Sequence, residues 1–223
     1  MSLISTLESG LHLKSLEGES EDPHRRFVLF HGKDKSHWGS TYRNGAHPTV
    51  TDVKILVVVE PASHEVVSSL VLILQTWRYE TIDLTVGRIE LVKTDRAYRR
   101  LGLMRALVEA AHDRADLIGH DLQIIWGILG FYGRFGYTQT IPRGQSADLA
   151  TGSIKTDRDI RFSLRPASSG DAEFLVSIDD HVSSRYAVTS PRDARVWNWE
   201  IGGRPARKRL VSLIVDSDGS YVG

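Results

Sequence analysis

The apolar residues of this chain change their spacing at Arg100, and this change limits the folds that the chain can adopt. Before it, Lys54 to Val59 and Val66 to Trp77 are rich in Val, Ile and Leu and are separated by turn-like residues, which predicts two antiparallel strands. Gly87 to Thr94 predicts a third strand. After Arg100, apolar residues recur at steps of three and four, which predicts an amphipathic helix that ends at Gly119.

The segment after this helix completes an α/β or α+β pattern. Leu122 to Trp126 predicts a short strand, and the glycine-punctuated residues that follow allow a short helix over Leu129 to Arg134. The order strand, strand, strand, helix, strand, short helix is typical of a sheet flanked by helices. Glu17 to Pro48 is polar apart from Phe27 to Phe30, and the sequence predicts no definite structure there.

Composition excludes several classes of protein. Lys plus Arg and Asp plus Glu are equal at 28 each, so no net charge attracts nucleic acid or an anionic membrane. The absence of Cys excludes disulfides, thiolate metal sites and a cysteine nucleophile. The nine His residues include no pair at close metal-ligand spacing on one face, so we expect no metal. No signal peptide or membrane span is recognisable, which predicts a soluble cytoplasmic protein.

A basic, glycine-containing turn lies between the third strand and the helix. Gly102 leaves room for the backbone to approach a ligand, and the first helical turn presents unpaired N–H groups to an anion. Arg99, Arg100 and Arg105 would add charge-assisted contacts to a pyrophosphate. The alternative is an ordinary basic first turn of a surface helix.

Two motifs in this order resemble those of a known enzyme superfamily. The run from Tyr98 to Met104 resembles the cofactor loop of GNAT N-acetyltransferases, and Phe131 to Tyr137 resembles the corresponding segment of Eis-like (enhanced intracellular survival) members. The resemblance covers roughly Pro48 to Ile141. It implies a mixed, mostly antiparallel sheet flanked by helices, acetyl-CoA as cosubstrate and direct acetyl transfer to an amine.

The resemblance also implies positions for the cofactor. The strand before the loop would pair its backbone with the pantetheine arm, and the loop would hold the pyrophosphate. Gly127 and Ile128 match the place where the next strand turns away and leaves a gap for the arm. The cofactor-binding residues are then Val92, Lys93, Thr94, Arg99, Arg100, Leu101, Gly102, Leu103, Met104, Arg105, Gly127 and Ile128.

Two side chains are candidates for catalysis. Tyr132 matches the family's proton donor to the departing thiolate; the alternative is a packed aromatic residue. Glu90, on the third strand, is the candidate base that frees the amine, and its alternative is an ion pair with Arg88. The acceptor would be a small-molecule or peptide amine. A noncatalytic acyl-CoA-binding or interaction module is the competing function.

The chain divides at a polar segment rich in Gly and Ser. We predict an acetyltransferase domain over residues 1–142, a linker over 143–159 and a partial second acetyltransferase-like domain over 160–223, with residues 1–50 matching the family poorly. The last part predicts a strand, a capped helix and a strand that enters a hairpin. We expect one active site per chain, without a role for the Gly223 carboxylate, and a homo-oligomer stays open.

Overall fold

The three apolar runs form neighbouring strands of one sheet. The computed structural model describes residues 2–18, 20–32, 47–50, 52–128, 130–141, 161–202 and 210–222. The strands β3 (Asp52–Val59), β4 (Val66–Tyr79) and β5 (Ile82–Thr94) pair antiparallel in chain order. All three predicted strands are therefore confirmed, although β5 begins before Gly87.

The N-terminal part adds structure that the sequence pattern did not predict. The strands β1 (Ser2–Thr6) and β2 (His12–Ser15) extend the sheet beside β3, and the helix α1 (Glu21–His31) follows them. Helix α1 buries only Pro23 and Phe27, so its apolar face is too narrow to give a helical period. Residues 33–46, in the same polar segment, lie outside the described part of the chain.

The predicted amphipathic helix and the strand after it are confirmed. Helix α2 (Leu103–Ile118) ends at Gly119, which takes the left-handed conformation with φ +81°. It crosses over the sheet to β6 (Leu122–Ile125), which runs parallel to β5. The described strands thus form a mixed, mostly antiparallel sheet in the order β1-β2-β3-β4-β5-β6.

Two apolar layers hold helices on opposite faces of the sheet. On one face, α2 packs through Leu103, Leu107 and Ala111 against β4 and β5. On the other face, Phe27 of α1 packs against Val57 and Ile73, together with the neighbouring apolar residues of β3 and β4. The sheet is therefore covered on both sides, which confirms the predicted fold class.

The short helix after β6 begins later than predicted. A single 3₁₀ turn spans Tyr132–Phe135 instead of Leu129 to Arg134, and Leu129 itself lies outside the described residues. Gly130 has φ +73°, which interrupts a right-handed helix at that point. Only the residues after Gly130 are then free to form the turn.

The C-terminal residues form a small unit that contacts the main sheet. It contains β7 (Phe162–Pro166), α3 (Ala172–Ser183), β8 (Val188–Thr189), α4 (Ala194–Gly202) and β9 (Ser212–Asp216). The predicted strand, helix and final strand correspond to β7, α3 and β9, whereas α4 lies between the predicted helix and the final strand, where the sequence pattern predicted no element. Strand β8 pairs with Arg78 and Tyr79 at the end of β4. The proposed linker over 143–159 lies outside the described residues.

Candidate active site

The two parallel strands of the sheet separate at their carboxyl ends. The ladder between β5 and β6 runs from Val86 and Leu122 to Ile89 and Ile125 and stops there. Strand β5 continues to Thr94, whereas β6 ends at Ile125. The last part of β5 therefore has β4 on one side and no partner from β6 on the other. We call this open space the gap.

A bulge in β5 lies at the edge of the gap. Ser69 pairs with Lys93 and Val71 pairs with Glu90, so Leu91 and Val92 together face the single residue between Ser69 and Val71. Leu91 has φ +49°, a left-handed conformation that costs a residue with a side chain about 1–2 kcal/mol. The sequence pattern of β5 gives no sign of this bulge.

Two buried serines of β4 determine which backbone groups of β5 face the gap. The Ser69 hydroxyl donates to the Leu91 carbonyl at 3.3 Å, and the Ser68 hydroxyl donates to the Lys93 carbonyl at 3.1 Å. In a planar trans peptide the C=O and the next N–H point in opposite directions. The N–H groups of Val92 and Thr94 are consequently directed away from these serines of β4.

The turn that follows β5 presents backbone to solvent at the start of α2. Asp95 caps a 3₁₀ turn over Arg96–Tyr98 by accepting from the Ala97 N–H at 2.8 Å. Gly102 then begins α2 with φ +73°, and no side chain caps this end of the helix. A Cβ at Gly102 would meet nothing within 4 Å, so the space beside it is open to a ligand.

The charges around this end of α2 suit an anion. The first turn of α2 contains no acidic residue, and Arg99, Arg100 and Arg105 are exposed. The helix dipole and the unpaired N–H groups favour negative charge at the same place. Arg100 has φ +67°, so two residues of the loop take left-handed conformations. The residues present fit a pyrophosphate group.

Tyr132 packs directly on the backbone of Gly127, just after β6. A Cβ built on Gly127 would lie 2.2 Å from both Cδ2 and Cε2 of the Tyr132 ring. The ring is held from another side by Phe131, with the two ring centroids 4.9 Å apart. Gly127 is thus needed for close approach of an aromatic ring.

Tyr132 and Glu90 interact electrostatically. Burial raises the pKa of the Tyr132 phenol, and the negative charge of Glu90 raises it further. Tyr132 follows β6 whereas Glu90 is the first residue of β5 beyond the shared ladder. Because the phenol stays protonated at neutral pH, it can donate a proton and does not act as a base.

Glu90 also contacts Arg88. Its Oε1 lies 3.4 Å from the Arg88 Nε, and both side chains are half-buried. The ion pair expected as the alternative for Glu90 is therefore present. Even in this ion pair, the charge of the Glu90 carboxylate still raises the pKa of the Tyr132 phenol.

A polar network behind the Tyr132 turn was not predicted from the sequence. The Tyr137 hydroxyl donates to Gln123 Oε1 at 2.8 Å, and the His112 Nε2 lies 3.2 Å from the same hydroxyl. Burial raises the pKa of Tyr137 well above its usual range, so this hydroxyl keeps its proton. The network ties the turn to β6 and α2. Nothing in the spacing of these three residues signals that they meet.

Most of the predicted site residues lie around the gap or in the loop that follows β5. The gap is bordered by Tyr132, Glu90, Gly127 and the edge from Val92 to Thr94. The loop that contains the arginines follows β5 at the same end of the sheet, because parallel strands share their carboxyl edge. Ile128 is 73% exposed and has no visible role in forming the site.

Features of other functional classes are not found in the described residues. No group of three His, Asp or Glu side chains in the described ranges could hold a metal ion. None of the helices in the described part of the chain has both the length and the apolar character that a bilayer-spanning helix requires.

Comparisons with known proteins agree with this geometry. The family model described as Acetyltransferase (GNAT) domain matches residues 29–140. No curated protein matches the sequence. A conserved protein from Enterococcus faecalis V583, described as a probable N-acyltransferase, has 11% identity and a TM-score of 0.62. The match covers 95% of this chain and 53% of that one, so this chain spans about half of the Enterococcus protein.

Two further solved structures are similar over a shorter part. An acetyltransferase from Trypanosoma brucei has 20% identity and a TM-score of 0.47, with 62% of this chain and 99% of that chain covered. A GNAT family N-acetyltransferase from Escherichia coli, solved in complex with CoA, has 17% identity and a TM-score of 0.46, with 57% and 68% covered. With the family model matching half of its length and the sheet, gap and loop in the expected order, the chain belongs to the GNAT acetyltransferase family.

Proposed function

We propose that this chain transfers the acetyl group of acetyl-CoA directly to a primary amine. The observation that carries the proposal is that Tyr132 and Glu90 both lie where β5 and β6 separate, and that the charge of Glu90 helps to raise the pKa of the Tyr132 phenol. The arginine-rich start of α2 lies at the same end of the sheet and suits the pyrophosphate. Acetyl-CoA supplies an acyl group activated as a thioester.

The residues at the gap have separate tasks in this reaction. Glu90, directly or through water, accepts the proton that the amine nitrogen loses as its bond to the acyl carbon forms. The Val92 N–H, directed away from β4, donates to the acyl oxygen, where negative charge develops. As the carbon–sulfur bond breaks, the Tyr132 hydroxyl gives its proton to the sulfur. CoA leaves as a thiol, and no covalent enzyme intermediate is needed.

Further assignments rest on sequence motifs. We place the chain near the Eis-like members because of the run from Phe131 to Tyr137. We also propose the division into an acetyltransferase domain over 1–142 and a second, acetyltransferase-like unit over 160–223. The strand β7, the helix α3 and the final strand β9 support the second unit, since they match the strand, helix and strand predicted to open such a domain, with β8 and α4 between α3 and β9.

Release of CoA from acetyl-CoA tests the function directly. The chain contains no Cys, so a thiol reagent reports released CoA without background from the protein. We expect release that depends on an added amine, across a panel of an amino sugar, a polyamine and a peptide with a free N-terminus. Binding of CoA without release for any amine would instead establish the noncatalytic acyl-CoA-binding module.

Replacing Gly102 with valine tests the cofactor loop. The left-handed φ of +73° strains a β-branched residue, and its side chain would fill the open space beside the loop. We expect CoA affinity to fall at least tenfold, about 1.4 kcal/mol. Isothermal titration measures the change.

Gly119→Val provides a matched control for this loss. Gly119 ends the same helix, with φ +81° and nothing within 4 Å of an added Cβ. The control should lose stability from the same backbone strain but keep its CoA affinity. Equal CoA affinity in wild type and Gly102→Val would rule out the loop as the pyrophosphate site.

A further inference from the structure

The last residue of α1 reaches the bulge of β5 through a buried serine. His31 Nε2 lies 2.7 Å from the Ser69 hydroxyl, and Ser69 is 0% exposed. The same hydroxyl lies 3.3 Å from the Leu91 carbonyl. A helix on one face of the sheet is thus linked to the peptide whose N–H faces the gap.

The proton positions in this chain of contacts follow from chemistry. A carbonyl oxygen only accepts, and we therefore assign the single hydroxyl proton of Ser69 to its contact with the Leu91 carbonyl. With this assignment, His31 is the tautomer that carries its hydrogen on Nε2, and this N–H donates to the Ser69 oxygen. Two successive donors therefore point from α1 toward the Leu91 carbonyl, and the first strengthens the second by polarising the hydroxyl.

Neighbouring contacts fix the ends of this link. The His31 ring packs against Phe27 and Phe30, with centroid distances of 4.9 and 5.3 Å. Lys93, two residues after Leu91, donates from its Nζ to the Phe30 carbonyl, so the end of α1 also holds the far side of the bulge. The left-handed conformation of Leu91 persists because these contacts surround it.

We propose that His31 and Ser69 are positioning residues that hold the Leu91–Val92 peptide with its N–H directed into the gap. This inference rests on the proposed function, since it supposes that an acyl oxygen lies there. Loss of the His31 contact lets the peptide rotate and weakens the hydrogen bond to the acyl oxygen. The cofactor loop and Tyr132 lie elsewhere and keep their contacts, so the effect is confined to the acyl group.

The carbonyl stretch of bound acetyl-CoA measures this contact without any turnover. Isotope-edited infrared difference spectra of acetyl-CoA labelled with ¹³C at the carbonyl report how strongly its oxygen is hydrogen-bonded. We expect a lower frequency in the wild-type complex than in solution, and a return toward the solution value in His31→Leu and Ser69→Ala. His31→Gln keeps an N–H donor at a similar reach and should restore most of the wild-type shift.

Kinetics provide the second readout. We expect His31→Leu to lower kcat about tenfold, on the scale by which misplaced groups slow a reaction, with CoA affinity unchanged. His31→Gln should recover most of this loss. His24→Leu is the matched control on the same helix, because His24 contacts only the local Ser20 carbonyl among the hydrogen bonds described, and it should retain wild-type spectra and kcat.

The outcomes separate this inference from the proposed function. A wild-type protein that binds acetyl-CoA but acetylates no amine disproves the function, while the spectra still decide the role of His31. Wild-type carbonyl frequencies in both His31→Leu and Ser69→Ala would overturn the inference and leave the function intact. If one of these two variants does not fold, the other decides, since each removes a different part of the same link.

Discussion

Tyr132→Phe should lower kcat by about 100-fold, the usual scale for losing a general acid, and leave the Kd of CoA nearly unchanged. The substitution removes only the hydroxyl, so the ring keeps its packing on Gly127 and Phe131. Burial and the charge of Glu90 both raise the pKa of this phenol, which keeps it protonated and able to donate throughout the neutral range. Without it, the sulfur would leave as an unprotonated thiolate.

Steady-state rates of CoA release and the Kd of CoA together test this expectation. Tyr186→Phe serves as the control because Tyr186 is 65% exposed and lies in the C-terminal unit. It should behave as wild type. A Tyr132→Phe protein that is folded and fully active would remove Tyr132 from the mechanism and leave only its packing role.

Gly127→Ala should also impair turnover, through the position of the same ring. The new methyl group would lie 2.2 Å from two ring carbons, so either the ring or the strand end must move. We expect kcat to fall at least tenfold, because the hydroxyl moves with the ring, and the free energy of unfolding to fall by about 1–3 kcal/mol. Thermal unfolding and kinetics measure the two effects.

Gly133→Ala separates this collision from a general effect of alanine in the turn. A Cβ at Gly133 meets nothing within 4 Å, and Gly133 has no positive φ. The Gly133→Ala protein should keep both the stability and the kcat of the wild type. In the Tyr132→Phe background, Gly127→Ala should cost little further activity, since both changes act through one hydroxyl. Additive losses in kcat would contradict this shared cause.

Much of the fold was predictable because its central elements have strong local patterns. The runs in β3 and β4 are long and β-branched, and α2 has a wide apolar stripe with Gly119 at its end. Helix α1 was missed because it buries only two residues, and the start of the Tyr132 turn was misplaced because Gly130 interrupts the helix. Local sequence patterns therefore predict elements that have broad apolar faces, and they miss elements whose apolar faces are narrow.

The site was predictable only where a motif marked it. The loop at Gly102 and the run around Tyr132 were found because they resemble motifs of GNAT acetyltransferases, and their roles are still proposals. The bulge at Leu91 depends on contacts between separate strands, and so does the Tyr137 network with Gln123 and His112. Ser68 and Ser69 were the one available signal, since two polar residues interrupt an otherwise apolar strand, but their partners are 22 to 38 residues away.

The short ladder between β5 and β6 makes the site a part of the sheet that forms late. Its four residue pairs join segments separated by the whole of α2, whereas the longer β4–β5 ladder closes through a tight hairpin. Pairing that is distant in sequence forms slowly, and a four-residue strand with few buried side chains opens easily. Warming should therefore release β6, and with it Tyr132, before the central strands separate, so that catalytic competence is lost at a lower temperature than the fold.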